Sequence, residues 1–287
     1  MNSKTEGITT MYASTLSNKS PLKFFLLVFA FAIPLWVIGT MVKVKGLPLD
    51  VPVTDFIAAF IPLIAACILV YKEEGTIGIK SLLKRVFDFS RIRQKIWYLP
   101  VIFLMPIIYL LIYGVMHLFR LPLPIGVEIP FLKNAVMSVA FFILATGEEV
   151  GWSGYAVDAL QERWSALTTA ITIGLVWAIL HYPSIIQQGH DFIWILWATL
   201  GTVGMRILIV WLYNNTGKSV FACILFHTIA NSGRILFPKD QNHNPLVDYP
   251  DVHYSIIAIT AVIVIFRWGS KTLARYRYSG SQIDEVQ

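Results

Sequence analysis

Residues 131–160 read FLKNAVMSVAFFILATGEEVGWSGYAVDAL, an apolar run that carries two adjacent glutamates, Glu148 and Glu149. The run is long enough to cross a bilayer, which takes about 20 residues. A charged side chain at bilayer depth costs about 3 kcal/mol or more, and two neighbouring carboxylates also repel each other. The pair therefore indicates a functional site inside a membrane-spanning helix rather than a packing position.

The composition is that of an integral membrane protein. Of the 287 residues, 56% are hydrophobic and 14% are charged, whereas a soluble domain has about 25% charged residues. The net charge of +6 comes from Lys and Arg in the loops, a bias typical of cytoplasmic loops, so it does not indicate a nucleic-acid partner. Cys67 and Cys223 lie in apolar segments and predict neither a disulfide framework nor a cysteine metal site.

Eight apolar segments are long enough to span a bilayer, which predicts an all-α, polytopic membrane protein with about eight transmembrane helices. Between the second and third segments, residues 79–86 place apolar side chains at helical spacing and basic side chains on the other faces. This pattern predicts an interfacial amphipathic helix, with a solvated basic loop as the alternative. The predicted spans are 24–41, 53–71, 97–119, 131–160, 164–182, 192–213, 219–237 and 254–268.

We divide the chain into an N-terminal tail at 1–23, a transmembrane domain at 24–268 and a basic polar tail at 269–287. The first apolar segment lacks a small-residue cleavage site, so we interpret it as a retained span rather than a removed signal peptide. Lys and Arg are concentrated in the loops that share a side with the N-terminus, which predicts that both termini are cytoplasmic. The expected location is a bacterial cell membrane.

Spacing places further polar side chains at the depth of the glutamates. The fourth and fifth spans are predicted to form a hairpin that turns near Arg163, and Glu148 and His181 each lie about 25 Å from that turn. On the seventh span, His227 and Asn231 are one helical turn apart and share a face. These side chains together predict a reaction centre, although a lone His or Asn in an apolar helix is also typical of an interhelical hydrogen bond.

An ion or proton site in an ion-coupled transporter is an open alternative for the glutamate pair. Arg206 in the sixth predicted span is then a candidate counter-charge. No inverted repeat and no pair of broken helices favours the transporter. The remaining histidines lie near span ends or in loops and are expected to be ordinary surface residues: His117, His190, His243 and His253.

Three segments resemble the motifs of the CPBP family of intramembrane proteases, which includes CAAX proteases and bacteriocin-processing enzymes. Residues 148–155, EEVGWSGY, are similar to the first motif, E-E-x-x-x-R. Residues 177–181, WAILH, are similar to the second, F-x-x-x-H, and residues 227–231, HTIAN, match the third, H-x-x-x-N. The three motifs occur in order and define a protease-like core at about residues 131–232.

The resemblance implies an endopeptidase that hydrolyses a peptide or membrane-anchored protein, such as a CAAX-like or bacteriocin-like segment. Such chemistry needs an activated water, a base and groups that stabilise a tetrahedral oxyanion. Glu148 is the implied base, with Glu149 beside it, and His181 is expected to orient or deprotonate the water. His227 and Asn231 are expected to donate hydrogen bonds to the oxyanion.

A metal-dependent version of this chemistry is also open. Zinc or another divalent ion would be held by Glu148, His181 and His227, because three N or O ligands plus a water suit catalytic zinc. The chain lacks the H-E-x-x-H helix of many zinc proteases, so the sequence does not decide between the two versions.

One position departs from the family pattern. Ser153 occupies the place of the arginine in the first motif, and Arg163 and Arg206 are the candidate substitutes. The departure keeps open a non-enzymatic alternative, a membrane immunity or sensor protein on the same fold.

Overall fold

The computed structural model describes residues 19–41, 52–124, 131–240 and 243–274. Within these ranges the chain consists of α-helices joined by turns and short 3₁₀ and π segments, without a β-strand. The predicted all-α class is therefore confirmed. In chain order the helices are α1 (Pro21–Met41), α2 (Val53–Ala58), α3 (Ile61–Lys84), α4 (Tyr98–Leu118), α5 (Phe131–Gly151), α6 (Val157–Gln161), α7 (Ala166–Gln187), α8 (Phe192–Asn215), α9 (Val220–Leu236), α10 (Pro245–Asp248) and α11 (Pro250–Trp268).

The helices agree with the predicted polytopic architecture. Seven helical stretches in the described part of the chain are long and apolar enough to cross a membrane. The helix α9, with 17 residues, is a shorter apolar helix that corresponds to the seventh predicted span. The first helix begins at Pro21, slightly before its predicted start, and most of both predicted tails lies outside the described residues.

The fourth predicted span is a helical stretch with a local change of winding. Between α5 and α6, residues Trp152–Ala156 form a π-helical turn immediately after the glutamate pair. All five residues of this turn are buried. Single π turns inside α-helices are rare and occur often at functional sites.

The predicted amphipathic segment is helical and forms the end of α3. Gly75 interrupts the helix with φ 65° and ψ −154°, a conformation that glycine adopts without a Cβ clash. Beyond this break Leu82 is buried whereas Leu83 is exposed, so one face of the segment packs on the protein. Its location at a membrane interface stays a prediction.

Two glycines allow α5 to pack closely against the region where α3 begins. A Cβ atom at Gly147 would lie 2.6 Å from the carbonyl oxygen of Ala59, and one at Gly151 would lie 2.3 Å from the backbone of Pro62. Small residues four positions apart are typical of membrane helices whose backbones approach closely. Because the two glycines bracket the glutamate pair, this contact determines the depth and rotation of the pair.

A polar cluster holds one end of the bundle together. Arg85, just after α3, donates hydrogen bonds to the carbonyl oxygen of Gly154 and to the hydroxyl of Tyr213, each over 2.7 Å. Tyr213 donates to Asp158 over 2.9 Å, and Asp158 forms an ion pair of 2.9 Å with Lys218. The cluster links the end of α3, the π turn and the connection between α8 and α9, so it fixes the relative depth of these helices.

Candidate active site

A cavity of about 220 Å³ lies inside the helical bundle. All four side chains predicted to meet at one place line it: Glu148 from α5, His181 from α7, and His227 and Asn231 from α9. Glu148 and His181, which lie about equally far from the α6–α7 turn, therefore line the same cavity. The fifth predicted residue, Glu149, does not belong to the cavity lining.

Glu148 presents a carboxylate oxygen without a partner. Its Oε2 atom is buried and makes no hydrogen bond within the described part of the chain. Glu148 and His181 also line a second, smaller cavity of about 60 Å³, so they lie where the two cavities adjoin. An ionised carboxylate accepts hydrogen bonds only, and Glu148 is therefore placed to accept a proton from a molecule in the cavity.

His181 is oriented by its own helix. The Nδ1 atom lies 2.7 Å from the carbonyl oxygen of Trp177, one turn earlier on α7. A carbonyl oxygen can only accept, so Nδ1 carries the proton that makes this bond. In a neutral imidazole the Nε2 atom is then the acceptor, which is the form needed to orient or deprotonate a water molecule.

Glu149 lies behind His227 and is fully buried. Its Oε1 atom accepts a hydrogen bond of 3.1 Å from Nδ1 of His227. Its Oε2 atom accepts from Nη1 of Arg206, over 2.9 Å, and from the hydroxyl of Ser153. A carboxylate bound to one imidazole nitrogen fixes the orientation of the ring. In this arrangement Glu149 positions a cavity residue instead of reaching the cavity itself.

Arg163 and Arg206 were the two candidate substitutes for the missing motif arginine, and Arg206 is the one that contacts the glutamate pair. It is fully buried and pairs with Glu149, whereas Arg163 is exposed at the α6–α7 turn. The sequence did contain a signal for this contact. Arg206 lies eleven residues before Gly217 and His227 ten residues after it, and a rise of 1.5 Å per residue puts both about 15 Å from the α8–α9 turn.

Trp177 links the two histidines to Arg206. Its ring lies 4.5 Å from the guanidinium carbon of Arg206, a cation–π geometry. The same ring meets His181 and His227 edge to face, at centroid distances of 5.7 Å and 5.2 Å. Because Trp177 is the aromatic residue of the second motif, this motif contributes a packing surface as well as a histidine.

Comparison with known proteins agrees with the three motifs. A model of the type II CAAX prenyl endopeptidase Rce1-like family matches residues 129–233. The chain is also similar to CAAX prenyl protease 2 of Methanococcus maripaludis, with 28% identity over 246 residues that cover 78% of this chain and 87% of that protein. Both matches support the resemblance to the CPBP family of intramembrane proteases. These similarities favour a membrane-embedded protease over an ion-coupled transporter.

One prediction about the histidines is wrong. His253 was expected on the surface, but it is 2% exposed and lines the cavity. The error arose because the eighth span was predicted to start at residue 254, whereas α11 begins at Pro250. His253 therefore lies within the helix, where its Nδ1 atom contacts the carbonyl oxygen of Leu246 over 3.2 Å. The other three histidines expected on the surface do not line the cavity: His117, His190 and His243.

Sequence reasoning also missed two charged residues of the cavity. Asp55 on α2 lines both cavities and interacts with the side chain of Ser184 and with His181. Arg234 on α9 lines the larger cavity. Asp55 was detectable as the only acidic residue in the second apolar segment, and Arg234 by its position seven residues after His227.

The metal-dependent version stays a prediction. Among the described residues, no group of three or more His, Cys, Asp and Glu side chains is arranged to hold a metal ion. Trp177 and Glu149 engage the Nδ1 atoms of His181 and His227, which leaves Nε2 as the atom of each ring available to a water, a substrate or a metal. The steps proposed below use water and the side chains of the protein.

Proposed function

We propose that this protein is an intramembrane endopeptidase that hydrolyses a peptide bond through a water activated by Glu148 and His181. The supporting observation is that Glu148, His181, His227 and Asn231 line one cavity inside the bundle. The substrate class we infer is a membrane-associated peptide with a CAAX-like terminus, since the similar archaeal protein is named CAAX prenyl protease 2.

The first step is attack of water on the scissile carbonyl carbon. Glu148 takes one proton from the water, and Nε2 of His181 accepts a hydrogen bond that orients the oxygen. The carbonyl becomes a tetrahedral oxyanion, whose C–N bond then breaks. The proton held by Glu148 passes to the leaving nitrogen, so that one water yields a carboxylic acid and an amine, and the base is regenerated.

Asn231 and His227 stabilise the oxyanion in this proposal. The side-chain amide of Asn231 is a neutral donor. His227 can donate from Nε2 only when both ring nitrogens carry protons, because its Nδ1–H is bound to Glu149. The hydrogen bond to Glu149 orients the ring, and the doubly protonated ring of this proposal is a charged donor to the developing negative charge.

We assign to Arg206 the role of the arginine that the first motif lacks. The departure at Ser153 was the main argument for a non-enzymatic immunity or sensor protein. Arg206 supplies a cation to Glu149 from a different helix, and Ser153 adds a hydrogen bond from the position of the missing arginine. These contacts favour the enzyme over the non-enzymatic alternative, because the glutamate is held despite the departure.

Cleavage by the purified protein tests the proposal. The substrate is a fluorogenic peptide that ends in an S-farnesylcysteine and three further residues, presented in detergent micelles or proteoliposomes. We expect cleavage by the wild type and none by Glu148→Gln, which keeps the shape of the side chain but removes the base. Undiminished cleavage by the Glu148→Gln protein would contradict the assigned mechanism. A folded wild type that cleaves no prenylated or unmodified peptide would favour the non-enzymatic alternative.

A further inference from the structure

Arg234 is the one Lys or Arg side chain among the described residues that line the larger cavity. It lies on α9, and its position follows from the residues already assigned to the site. His227, Asn231 and Arg234 stand at i, i+4 and i+7, a spacing that puts all three on one face of the helix. The same cavity therefore has the proposed oxyanion donors on this face and a cation further along it.

The distance between His227 and Arg234 along α9 corresponds to the length of a short extended peptide. Seven residues at 1.5 Å each put the backbone of Arg234 about 10 Å beyond that of His227. An extended peptide advances about 3.4 Å per residue, so about three residues cover this distance. A scissile bond at His227 would thus place a group about three residues downstream beside Arg234.

The guanidinium of Arg234 has no acidic partner in the part of the chain that the structure describes. No carboxylate of those residues lies within ion-pair distance of it, unlike the buried Arg206. Arg234 is exposed in the open cavity, and the apolar residues Met105, Ala230 and Ile257 line the same cavity. This combination fits a ligand with apolar side chains and one terminal anion.

We propose that Arg234 binds the free C-terminal carboxylate of the peptide substrate and so selects the bond cleaved by its distance from the chain end. This inference rests on the proposed protease function. The planar guanidinium can make two parallel hydrogen bonds to a carboxylate, which gives direction as well as charge attraction. The carboxylate is chosen over a lipid phosphate because Arg234 shares its helix face with the proposed oxyanion donors and the cavity continues between them.

Paired peptides test this proposal. A fluorescein-labelled peptide ending in S-farnesylcysteine and three residues is prepared with a free carboxylate and as the C-terminal amide. Binding is measured with the Glu148→Gln protein, so that cleavage does not deplete the ligand, and cleavage with the protein carrying Glu148. We expect the acid to bind at least tenfold more tightly than the amide, about 1.4 kcal/mol. Arg234→Gln should remove that difference without changing the affinity for the amide.

Two control variants test whether the preference for the acid depends on Arg234 in particular. Arg267→Gln removes an exposed arginine near the end of α11, outside the cavity lining, and should preserve the acid-over-amide preference. Arg234→Lys keeps the charge and should retain part of the acid-over-amide preference. Cleavage of both peptides at equal rates, or an acid preference that survives Arg234→Gln, would overturn the carboxylate site while leaving the protease function intact. Binding and cleavage of neither peptide by the wild type would contradict both proposals.

A lipid phosphate predicts a different result. Binding is therefore compared in phosphatidylcholine vesicles with and without phosphatidylglycerol. If Arg234 served a lipid headgroup, Arg234→Gln would reduce the effect of phosphatidylglycerol equally for the acid and the amide, and the peptide proposal would be wrong.

Discussion

Arg206 on α8 and Glu149 on α5 form a fully buried ion pair, with 2.9 Å between Nη1 and Oε2. The other carboxylate oxygen of Glu149 contacts Nδ1 of His227. An arginine from one helix thus orients, through a glutamate of a second helix, a histidine on a third. This relay links a residue outside the recognised motifs to the proposed chemistry.

Replacement of the proposed base should stop catalysis without unfolding the protein. We expect Glu148→Gln to abolish cleavage and to retain the wild-type thermal unfolding midpoint in detergent, because the new side chain has nearly the same shape. Glu162→Gln, an exposed glutamate at the α6–α7 turn, is the matched control and should cleave normally. Loss of folding in Glu148→Gln alone would show that the carboxylate has a structural role instead.

Loss of the buried cation should destabilise the protein and impair the site together. Arg206→Leu leaves Glu149 as an uncompensated buried charge, which costs about 3–5 kcal/mol. We expect a lower unfolding midpoint and a loss of cleavage. Arg163→Leu removes the other candidate arginine, which is exposed, and should change neither. Normal activity of Arg206→Leu would remove Arg206 from the proposed relay.

A charge relocation tests whether Arg206 replaces the arginine of the motif. Ser153 is fully buried and already bonded to Glu149, so Ser153→Arg alone would bury a second cation beside Arg206 and should reduce the yield of folded protein. The double variant Ser153→Arg with Arg206→Leu restores a single cation beside Glu149. We expect it to recover stability and cleavage relative to Arg206→Leu. If the double variant recovers neither stability nor cleavage, positions 153 and 206 are not equivalent.

The oxyanion donors should affect catalysis more than binding. Removing one such donor typically lowers kcat by about 100- to 1,000-fold, and we expect losses of this order for His227→Ala and for Asn231→Ala. KM should change much less, because the donors act mainly in the transition state. Thr228→Val removes a hydroxyl that donates to the carbonyl oxygen of Ile224 on the same helix and serves as the control. Equal losses in kcat and in substrate affinity would indicate a binding role.

Chelation distinguishes the two versions of the chemistry. Because the described His, Cys, Asp and Glu side chains include no three-ligand group, we expect cleavage to persist after treatment with EDTA or 1,10-phenanthroline. Elemental analysis of the purified protein provides the second measurement. Loss of activity on chelation, with recovery on addition of zinc, would support the metal-dependent version held by Glu148, His181 and His227.

Labelling of introduced cysteines from either side of the membrane tests the predicted orientation of the protein. In a background with Cys67→Ala and Cys223→Ala, Arg163→Cys should react with an impermeant maleimide only after the cells are opened, and Lys239→Cys from outside. This orientation places Glu148 and His181 toward the outer leaflet, whereas a cytoplasmic CAAX-like substrate would favour the reverse. The opposite labelling pattern would show that the basic-residue count assigned the wrong side.

Local patterns in the sequence were enough for the helices and for most of the candidate site. Apolar runs of sufficient length predict membrane helices, because a backbone in hydrocarbon must satisfy its own hydrogen bonds. Helical rise is constant, so the equal distances of Glu148 and His181 from one turn, and the spacing of His227 and Asn231, predicted their common depth. These inferences needed only the order of residues along each helix or hairpin.

Only the tertiary structure decided how the helices face one another. Rotation about a helix axis is set by contacts such as that of Gly151 with Pro62, and the length of an apolar run does not encode it. This rotation directs Glu148 into the cavity and Glu149 toward Arg206, although the two glutamates are adjacent in sequence. It also brings His253 from a presumed span end into the cavity lining. The sequence therefore determined which polar side chains share a depth, and packing determined which of them meet.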